Sequence, residues 1–281
     1  MDLAGRTVVV TGASGGIGVP LCAALLAAGA HVLAVGRDEA RLRRLAQQLP
    51  AGRLSWAVGD VATEVGRARV LEAARAAVPT PSVLVLAHAQ AAFGLFEDQS
   101  PEEMAHLMQT NLVAPMLLVH ALLPVLRMHD AASVAVVGST FGSLAFPGFA
   151  AYSASKFGLR GMTEALAREY ADTPLRFQYL SPRATRTPFN SATVDALNVE
   201  LKVASDAPAD VARQLVAAIV RGAPRLQIGW PEKLFARLNG ALPGLVDRSL
   251  RASLPIIRRH ARPPRTSHAP QETLRHETTP R

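Results

Sequence analysis

Tyr152 and Lys156 are the residues of this 281-residue chain whose types and spacing most directly suggest chemistry. Residues four apart lie on the same face of a helix, which would place the phenol beside the ammonium. Lowering the pKa of a phenol from about 10 to about 7 requires roughly 4 kcal/mol of differential stabilisation. One ammonium about 4 Å away supplies on the order of 4 kcal/mol at an effective dielectric near 20. The pair can therefore serve as a general acid and base near neutral pH.

A glycine-rich turn near the N-terminus is the second chemical feature. The apolar run 7–11 leads into a segment with Gly12, Gly16 and Gly18, and a helical pattern follows. A strand, a tight turn and a helix N-terminus together form a phosphate site, because glycine permits close backbone approach and helical N–H groups point at the charge. The spacing Gly-x-x-x-Gly-x-Gly is a weak signal alone, and a flexible loop is the alternative interpretation.

An alternating series of elements must position these residues. Short apolar runs alternate with helical periodicity, which indicates a parallel sheet covered by helices on both faces. Such a sheet binds ligands beyond the carboxyl ends of its strands. The predicted strands are 7–11, 31–35, 54–58, 83–86, 133–137, 176–180 and 225–228. The predicted helices are 16–28, 40–49, 65–78, 101–127, 151–171 and 208–221.

These motifs, in this order, resemble the classical short-chain dehydrogenases/reductases over roughly residues 5–230. The resemblance implies an α/β protein with a Rossmann-type, doubly wound parallel sheet of about seven strands, helices on both faces and a C-terminal helical extension. It implies that Ser139 orients the substrate oxygen and that Asn111 holds a water that relays protons through Lys156. The implied catalytic set is Asn111, Ser139, Tyr152 and Lys156.

One local feature supports the role of Asn111 independently. Pro115 has no N–H, so the carbonyl of Asn111 loses its helical partner and is free to bind a water. Taken singly, Asn111 could equally be a surface amide and Ser139 a turn residue. Their occurrence together with the tyrosine and the lysine favours the functional interpretation.

The resemblance also implies a cofactor site, and no metal site is predicted. Asp60 and Val61 match the adenine-contacting pair of the family, and Thr187 matches the threonine that bonds the nicotinamide amide. The implied cofactor-binding residues are Gly12, Ser14, Gly16, Ile17, Gly18, Arg37, Asp60, Val61, Ala87, Tyr152, Lys156, Pro182 and Thr187.

The end of the second predicted strand bears on the choice of cofactor. Sites selective for NAD usually place an acid there to bond the ribose hydroxyls, but this chain has Gly36 followed by Arg37. A guanidinium suits a phosphate, and a charge-assisted hydrogen bond is worth roughly 1.5–3 kcal/mol. Arg37 therefore favours NADP(H), with NAD(H) as the second choice. Alternatively, Arg37 only covers the adenine or faces solvent.

Two segments depart from the family pattern. Residues 87–90 read Ala-His-Ala-Gln where the family has Asn-Asn-Ala-Gly, and Arg183 replaces a glycine after the sixth strand. His88 either contacts the cofactor or replaces a structural hydrogen bond, and the second interpretation is preferred. Because of Arg183, the sequence does not predict the local backbone conformation or the rim of the pocket.

Apolar residues surround the predicted site on its substrate side. Residues 188–207, the expected substrate lid, are rich in Ala, Val, Leu and Ser, and aromatic and aliphatic residues precede Tyr152. They favour an apolar carbonyl substrate such as a 3-oxoacyl chain, a polyketide or a steroid-like ketone. Alternatively, they only pack the lid on the sheet. The residues preceding Tyr152 are Phe141, Leu144, Phe146 and Phe149.

Composition narrows the class of protein. A single cysteine, Cys22, excludes an intrachain disulfide, and its apolar neighbours suggest a buried position. No basic, apolar and small-residue series precedes the first strand, and no uncharged apolar run reaches roughly 18 residues. The longest candidate, 112–126, is better explained as a buried helix. We therefore expect a cytoplasmic protein.

The chain divides into three predicted parts: a cofactor-binding domain over 1–230, an amphipathic helical extension over 231–260 and a disordered basic tail over 261–281. The extension should form two helices, interrupted at Pro243-Gly244. Three interpretations are open. The preferred one is that the extension packs on the domain or on a partner; the others are that it roofs the substrate pocket or that it lies on an anionic membrane surface. Helices 101–127 and 151–171 resemble those that pair subunits in the family, so a homodimer or homotetramer is expected.

The sequence thus predicts an NADP(H)-dependent oxidoreductase that interconverts a ketone or aldehyde and an alcohol, with Tyr152 as general acid and base. The alternative is a non-catalytic Rossmann protein that senses cofactor or binds a partner, for which the two departures leave room. The net charge of +8 raises nucleic-acid binding as a third class. The tail lacks interleaved aromatic residues, so no nucleic-acid partner is predicted.

Overall fold

The computed structural model describes residues 1–262 and contains one seven-stranded sheet, with all strands parallel. The strand order is β3-β2-β1-β4-β5-β6-β7, which reverses direction between β1 and β4. The predicted doubly wound sheet is therefore confirmed. The strands are β1 (Thr7–Thr11), β2 (His31–Gly36), β3 (Leu54–Val58), β4 (Pro81–Leu86), β5 (Ala132–Val137), β6 (Leu175–Ser181) and β7 (Arg225–Gln227).

Helices follow the strands, and several begin at a side chain that accepts a backbone N–H, as Asp38 does from Arg41 and Ser191 from Val194. The helices are α1 (Gly18–Ala27), α2 (Glu39–Gln48), α3 (Glu64–Ala76), α4 (Pro101–Met108), α5 (Ala114–Leu126), α6 (Ala150–Glu169), α7 (Ala192–Glu200), α8 (Pro208–Arg221), α9 (Glu232–Ala241) and α10 (Pro243–Ala261).

Alternate side chains of the central strands enter two separate apolar cores. In β1, Val8 and Val10 join the core under α1 and α8, whereas Val9 joins the core under α3 and α5. Successive strand residues point to opposite faces, so a strand buried on both sides must be apolar throughout. Cys22 lies in the first core, where burial raises the pKa of its thiol to about 12.

The segment predicted as one helix over 101–127 is broken by a π-helical turn at Gln109–Val113. The physical reason is Pro115, which has no N–H to donate to the carbonyl four residues earlier. The run Pro101–Leu126 is long and apolar enough to span a membrane by length and composition, because an 18-residue window within it has a mean hydropathy of 1.5. The core helix of a globular fold passes the same test, and Leu118 and Leu122 are buried against the sheet.

The extension forms two helices that meet at Leu242, as its Pro-Gly break indicates. Val246 and Ile257 of α10 are buried, and α10 packs on α7 and α9 beside the substrate end of the sheet. Helix α10 continues to Ala261, the first residue of the predicted tail. Of that tail, Arg262 is also described, and residues 263–281 lie outside the described part of the chain. The division into a domain over 1–230 and an extension stays a prediction.

Candidate active site

The carboxyl edge of the sheet opens into a cavity of about 1070 Å³. The glycine turn and the ends of β2 and β3 line one part of it, and β5, α6 and the lid line the other. Thirteen residues of the predicted cofactor set and Ser139 of the catalytic set lie on its wall; Asn111 does not. These wall residues are Gly12, Ser14, Gly16, Ile17, Gly18, Arg37, Asp60, Val61, Ala87, Ser139, Tyr152, Lys156, Pro182 and Thr187.

The glycine turn is packed too tightly for side chains. Gly12 has a φ of +65°, and a Cβ there would lie 2.8 Å from the Cα of His88. A Cβ on Gly16 would lie 2.3 Å from the Cβ of Thr187, and one on Gly18 would lie 2.1 Å from the carbonyl oxygen of Gly12. Because α1 begins at Gly18, the turn presents backbone N–H groups at a helix N-terminus. This cradle fits the diphosphate of a dinucleotide cofactor.

The reactive pair lies on α6, facing the end of β5. The Nζ atom of Lys156 lies 5.7 Å from the ring centroid of Tyr152 and donates to the carbonyl of Val137 at 3.3 Å. Ser139 follows β5, and its hydroxyl accepts the N–H of Phe141 at 3.1 Å and lies close enough to the phenol of Tyr152 to lower its pKa. Both side chains of the pair are buried, with 8% of Tyr152 and 2% of Lys156 exposed.

Burial, rather than charge attraction, dominates the titration of this pair. It raises the pKa of Tyr152 to about 12, with the Ser139 hydrogen bond acting in the opposite direction. It lowers the pKa of Lys156 to about 8. The prediction that the ammonium would bring the phenol toward pH 7 is therefore wrong for the chain by itself. That prediction counted the attraction between the two groups and omitted the cost of burying a phenolate.

Asn111 is buried in the π-helical turn, so the interpretation as a surface amide is wrong. Its Oδ1 accepts the N–H of Gln90 at 2.7 Å, and its Nδ2 donates to the carbonyl of Gln90 at 2.9 Å and to the Ser155 hydroxyl at 3.3 Å. The amide therefore holds the unusual segment after β4 against α6. The side chain of Asn111 therefore has a positioning role. The break in the helix at Pro115 affects a different group, the backbone carbonyl of Asn111.

His88 occupies the place of a structural hydrogen bond, in agreement with the preferred interpretation. Its Nδ1 lies 2.7 Å from the hydroxyl of Thr11, which also accepts the N–H of Ala87 at 3.1 Å. Burial, with a contribution from the charge of Lys156, lowers the pKa of His88 to about 4. The imidazole is therefore neutral near pH 7 and joins the ends of β1 and β4 without adding charge to the cavity.

The part of the cavity beside the ends of β2 and β3 contains two arginines. Arg37 is 70% exposed, and its nearest acid is Asp60, with 3.9 Å between Nη1 and Oδ2. Arg41, which was not predicted from the sequence, lines the same part of the cavity from the first turn of α2. The N-cap residue Asp38 places it there, since its side chain accepts the N–H of Arg41. An N-cap signal directly after a strand end could have identified this second basic residue.

Arg183 forms the best-connected ion pair of the substrate side. Its Nε and Nη2 bond both carboxylate oxygens of Asp206 at 3.0 and 2.7 Å. Its Nη1 donates to the carbonyl of Trp230 at 3.2 Å and lies 3.4 Å from Glu232. The three charged side chains are only 17–18% exposed. Arg183, which stands where the family has a glycine, therefore connects the end of β6, the lid and the extension. Neither of its acid partners was identified from the sequence.

Aromatic rings surround Tyr152 at the substrate end. The rings of Phe149 and Phe189 lie 6.4 and 6.2 Å from the Tyr152 ring, centroid to centroid, and Phe141 lies at 6.3 Å. Side chains of the extension line the same cavity from above, namely Phe235, Val246, Ser249 and Leu250. The extension thus roofs the pocket, which was one of the three interpretations of this segment.

Comparison with known proteins agrees with this geometry. The family model described as "short chain dehydrogenase" matches residues 6–198. An uncharacterized oxidoreductase, YciK, of Escherichia coli is 35% identical over 65% of this chain and 74% of its own length. The 3-dehydrosphinganine reductase TSC10B of Arabidopsis thaliana is 32% identical over 65% of this chain and 56% of its own length.

Solved structures share the fold over most of the chain. A short chain dehydrogenase from Burkholderia cenocepacia, determined in complex with NADP, has a TM-score of 0.76 and 23% identity and covers 89% of this chain and 99% of its own. One from Burkholderia phymatum, in complex with NAD, has a TM-score of 0.77 and 20% identity over 88% and 96%. The family match, the parallel sheet and the glycine turn lead to one conclusion: this chain belongs to the short-chain dehydrogenase/reductase family of oxidoreductases.

Proposed function

We propose that the protein is an NADP(H)-dependent carbonyl reductase that acts on an apolar ketone or aldehyde, with Tyr152 as the proton donor. One observation carries the proposal. Ser139, Tyr152 and Lys156 meet in a buried site between the glycine cradle and a wall of aromatic rings. A cofactor in the cradle and an apolar carbonyl compound against the rings would meet beside the phenol.

The bound cofactor supplies the hydride, and the side chains manage the proton. Ser139 orients the substrate oxygen by donating its hydroxyl hydrogen. Tyr152, protonated because its pKa is about 12, donates to the alkoxide that forms, which is a far stronger base than a phenolate. Lys156, with a pKa of about 8, then returns a proton to the phenolate, since protons pass favourably from the group of lower pKa. The burial that keeps the phenol protonated therefore suits reduction.

The preference for NADP(H) rests on charge at the adenosine end. Arg37 and Arg41 supply two guanidinium groups there, and the end of β2 has Gly36 in place of an acid. A Cβ on Gly36 would lie 3.3 Å from Leu42 and 3.5 Å from the Ser14 hydroxyl, so an acid at this position would be crowded. A phosphate on the ribose fits this arrangement, because bidentate arginine contacts suit phosphate oxygens. NAD(H) remains the second choice.

The side chains that line the substrate end of the cavity indicate the substrate class. The aromatic rings and the apolar roof favour a long or bulky aliphatic ketone of the 3-oxoacyl type over a small polar one, because the cavity removes apolar surface from water. The name of the 3-dehydrosphinganine reductase among the relatives supports the same class.

Assembly is a further part of the proposal. Met116 and Leu117 of α5 and Phe157 of α6 are exposed, with 39–45% of their surface accessible. Exposed apolar side chains on neighbouring helices favour pairing of subunits, so we propose a homodimer or homotetramer. We also propose a cytoplasmic location, in line with the sequence expectation.

The test is turnover of a panel of ketones and 3-oxoacyl thioesters with NADPH. Tyr152→Phe should lower the rate by about 10²–10⁴-fold, the usual contribution of a positioned general acid, with cofactor binding retained. Tyr170→Phe is the matched control, because Tyr170 packs on Phe177 away from the cavity, and it should leave the rate unchanged. Equal turnover of Tyr152→Phe and the wild type would refute the mechanism. Cofactor binding without any turnover would favour a non-catalytic, cofactor-sensing protein.

A further inference from the structure

The segment from just before α9 to the first turn of α10 exposes large apolar side chains, which we call the apolar corner: Trp230, Leu234, Leu242 and Leu245. They are 69%, 45%, 54% and 55% exposed, respectively. Other large apolar residues of these helices face inward: Phe235, Val246 and Leu250 line the cavity, and Ile257 is buried. The extension therefore has one apolar side that roofs the pocket and a second that faces outward.

Basic residues occupy the outer side of the same helices. Residues 231–262 contain seven lysines and arginines and only two acids, Glu232 and Asp247. On α10, Arg248 and Arg251 are exposed and lie away from the inward-facing side of the helix by their spacing, and Arg258 is exposed near its C-terminal end.

Most of the lysines and arginines in residues 231–262 form no ion pair within the described part of the chain. Glu232 is bound by Arg183, Arg259 pairs with Glu200, and Arg262 pairs with Glu97 and Asp98. Within residues 1–262, no salt bridge involves Arg237, Arg248, Arg251 or Arg258. The surface thus offers positive charge to an external partner.

We propose that the apolar corner and the arginines Arg237, Arg248, Arg251 and Arg258 dock the protein on an anionic phospholipid bilayer. A helix with basic residues and exposed Trp and Leu side chains suits the bilayer interface, where indole rings settle at headgroup depth and anionic headgroups attract the cations. The same helices roof the pocket, so docking would bring its entrance to the phase where apolar ketones dissolve. The proposal concerns a surface and does not depend on the proposed reaction.

Tryptophan fluorescence provides a local probe, since the chain contains only Trp56 and Trp230. Trp56→Phe in the full chain leaves Trp230 as the single reporter. Mixed phosphatidylcholine–phosphatidylglycerol vesicles should shift its emission to shorter wavelength and co-sediment the protein. Pure phosphatidylcholine vesicles should do neither, and high salt should reverse the binding because it screens exposed charges. Co-sedimentation without a shift in Trp230 emission would overturn the proposal, since another surface would then be bound.

Charge reversal locates the surface. Arg248→Glu with Arg251→Glu should weaken vesicle binding at least tenfold, as should Leu234→Asp with Leu245→Asp. The matched control is Arg69→Glu with Arg75→Glu, which changes the net charge equally on the exposed side of α3 and should leave binding unchanged. An equal loss of vesicle binding in both arginine double variants, or no loss of binding in either, would overturn the proposal. Arg248→Gln with Arg251→Gln repeats the test if the reversed pair lowers the melting temperature.

Two further measurements distinguish bilayer docking from self-association of the chain and from the proposed reaction. If Leu234→Asp dissociates an oligomer in light scattering and the wild type does not bind vesicles, the corner pairs two copies of the chain and the proposal fails. Tyr152→Phe should bind vesicles as the wild type does. A protein that binds vesicles through this corner but reduces no ketone would therefore refute the proposed reaction alone.

Discussion

The cofactor side and the substrate side of the cavity are built by different means. Around the glycine turn the shape is set by backbone, because added Cβ atoms on Gly12 or Gly18 would lie within 2.8 Å of backbone atoms. On the other side it is set by side chains, since Arg183 ties the lid to the extension through Asp206 and Glu232. The family match ends at residue 198, before both of those acids. A cradle made of backbone suits a ligand that stays the same, such as a cofactor. A wall made of side chains can change by substitution to suit a particular substrate.

The largest effect expected from this comparison comes from adding one carbon to the cradle. Gly18→Ala places a Cβ 2.1 Å from the carbonyl oxygen of Gly12, so the turn must move. Overpacking of this kind costs about 1–3 kcal/mol, and we expect NADPH affinity to fall by about 100-fold in titration calorimetry. Gly161→Ala is the control, because nothing lies within 4 Å of its added carbon and alanine favours helices. An unchanged affinity in Gly18→Ala would contradict a backbone-defined cradle.

A smaller effect should follow from reversing the charge at the edge of the cradle. Arg37→Asp removes one guanidinium and places a carboxylate near the ribose, which should lower kcat/KM with NADPH on the order of 30-fold, within the range of one charge-assisted bond. Activity with NADH should rise or stay constant. The ratio of the two kcat/KM values is the measurement, and Arg43→Asp, on the exposed surface of α2, serves as its control. An unaltered ratio would mean that Arg37 only covers the adenine or faces solvent.

The smallest of these effects should appear at the ion pair of the substrate side. Arg183→Leu leaves two partly buried acids without their cation, and we expect KM for the ketone to rise about tenfold with little change in kcat, together with a lower melting temperature. Arg183→Lys should recover only part of the loss, because an ammonium cannot bond both oxygens of Asp206 in the same plane. NADPH affinity should stay constant. A fall in NADPH affinity equal to the rise in KM would remove the distinction between the two sides.

The two sides also differ in how well the sequence predicted them. The strand positions, the glycine turn and the pairing of Tyr152 with Lys156 depend on local periodicity and spacing, which one sequence contains. The acid partners of Arg183 lie 23 and 49 residues away, and only the folded chain brings them together.

The pKa of Tyr152 could not be predicted for a related reason. Spacing indicated an ammonium next to the phenol, but the cost of burying the phenolate depends on long-range packing that spacing does not contain. The same packing lowers the pKa of Lys156, which preserves the direction of proton transfer that reduction needs.

The pH dependence of carbonyl reduction is the sharpest test of proton transfer through Tyr152 and Lys156. If a neutral Tyr152 donates the proton and the ammonium of Lys156 replaces it, kcat/KM should be level at low pH and should fall as pH rises through about 8, where Lys156 loses its proton. The rate is to be measured from NADPH consumption between roughly pH 6 and pH 10, which extends about two units to either side of the pKa of Lys156. A rate that stays level up to about pH 10, or that rises with pH, would contradict the account.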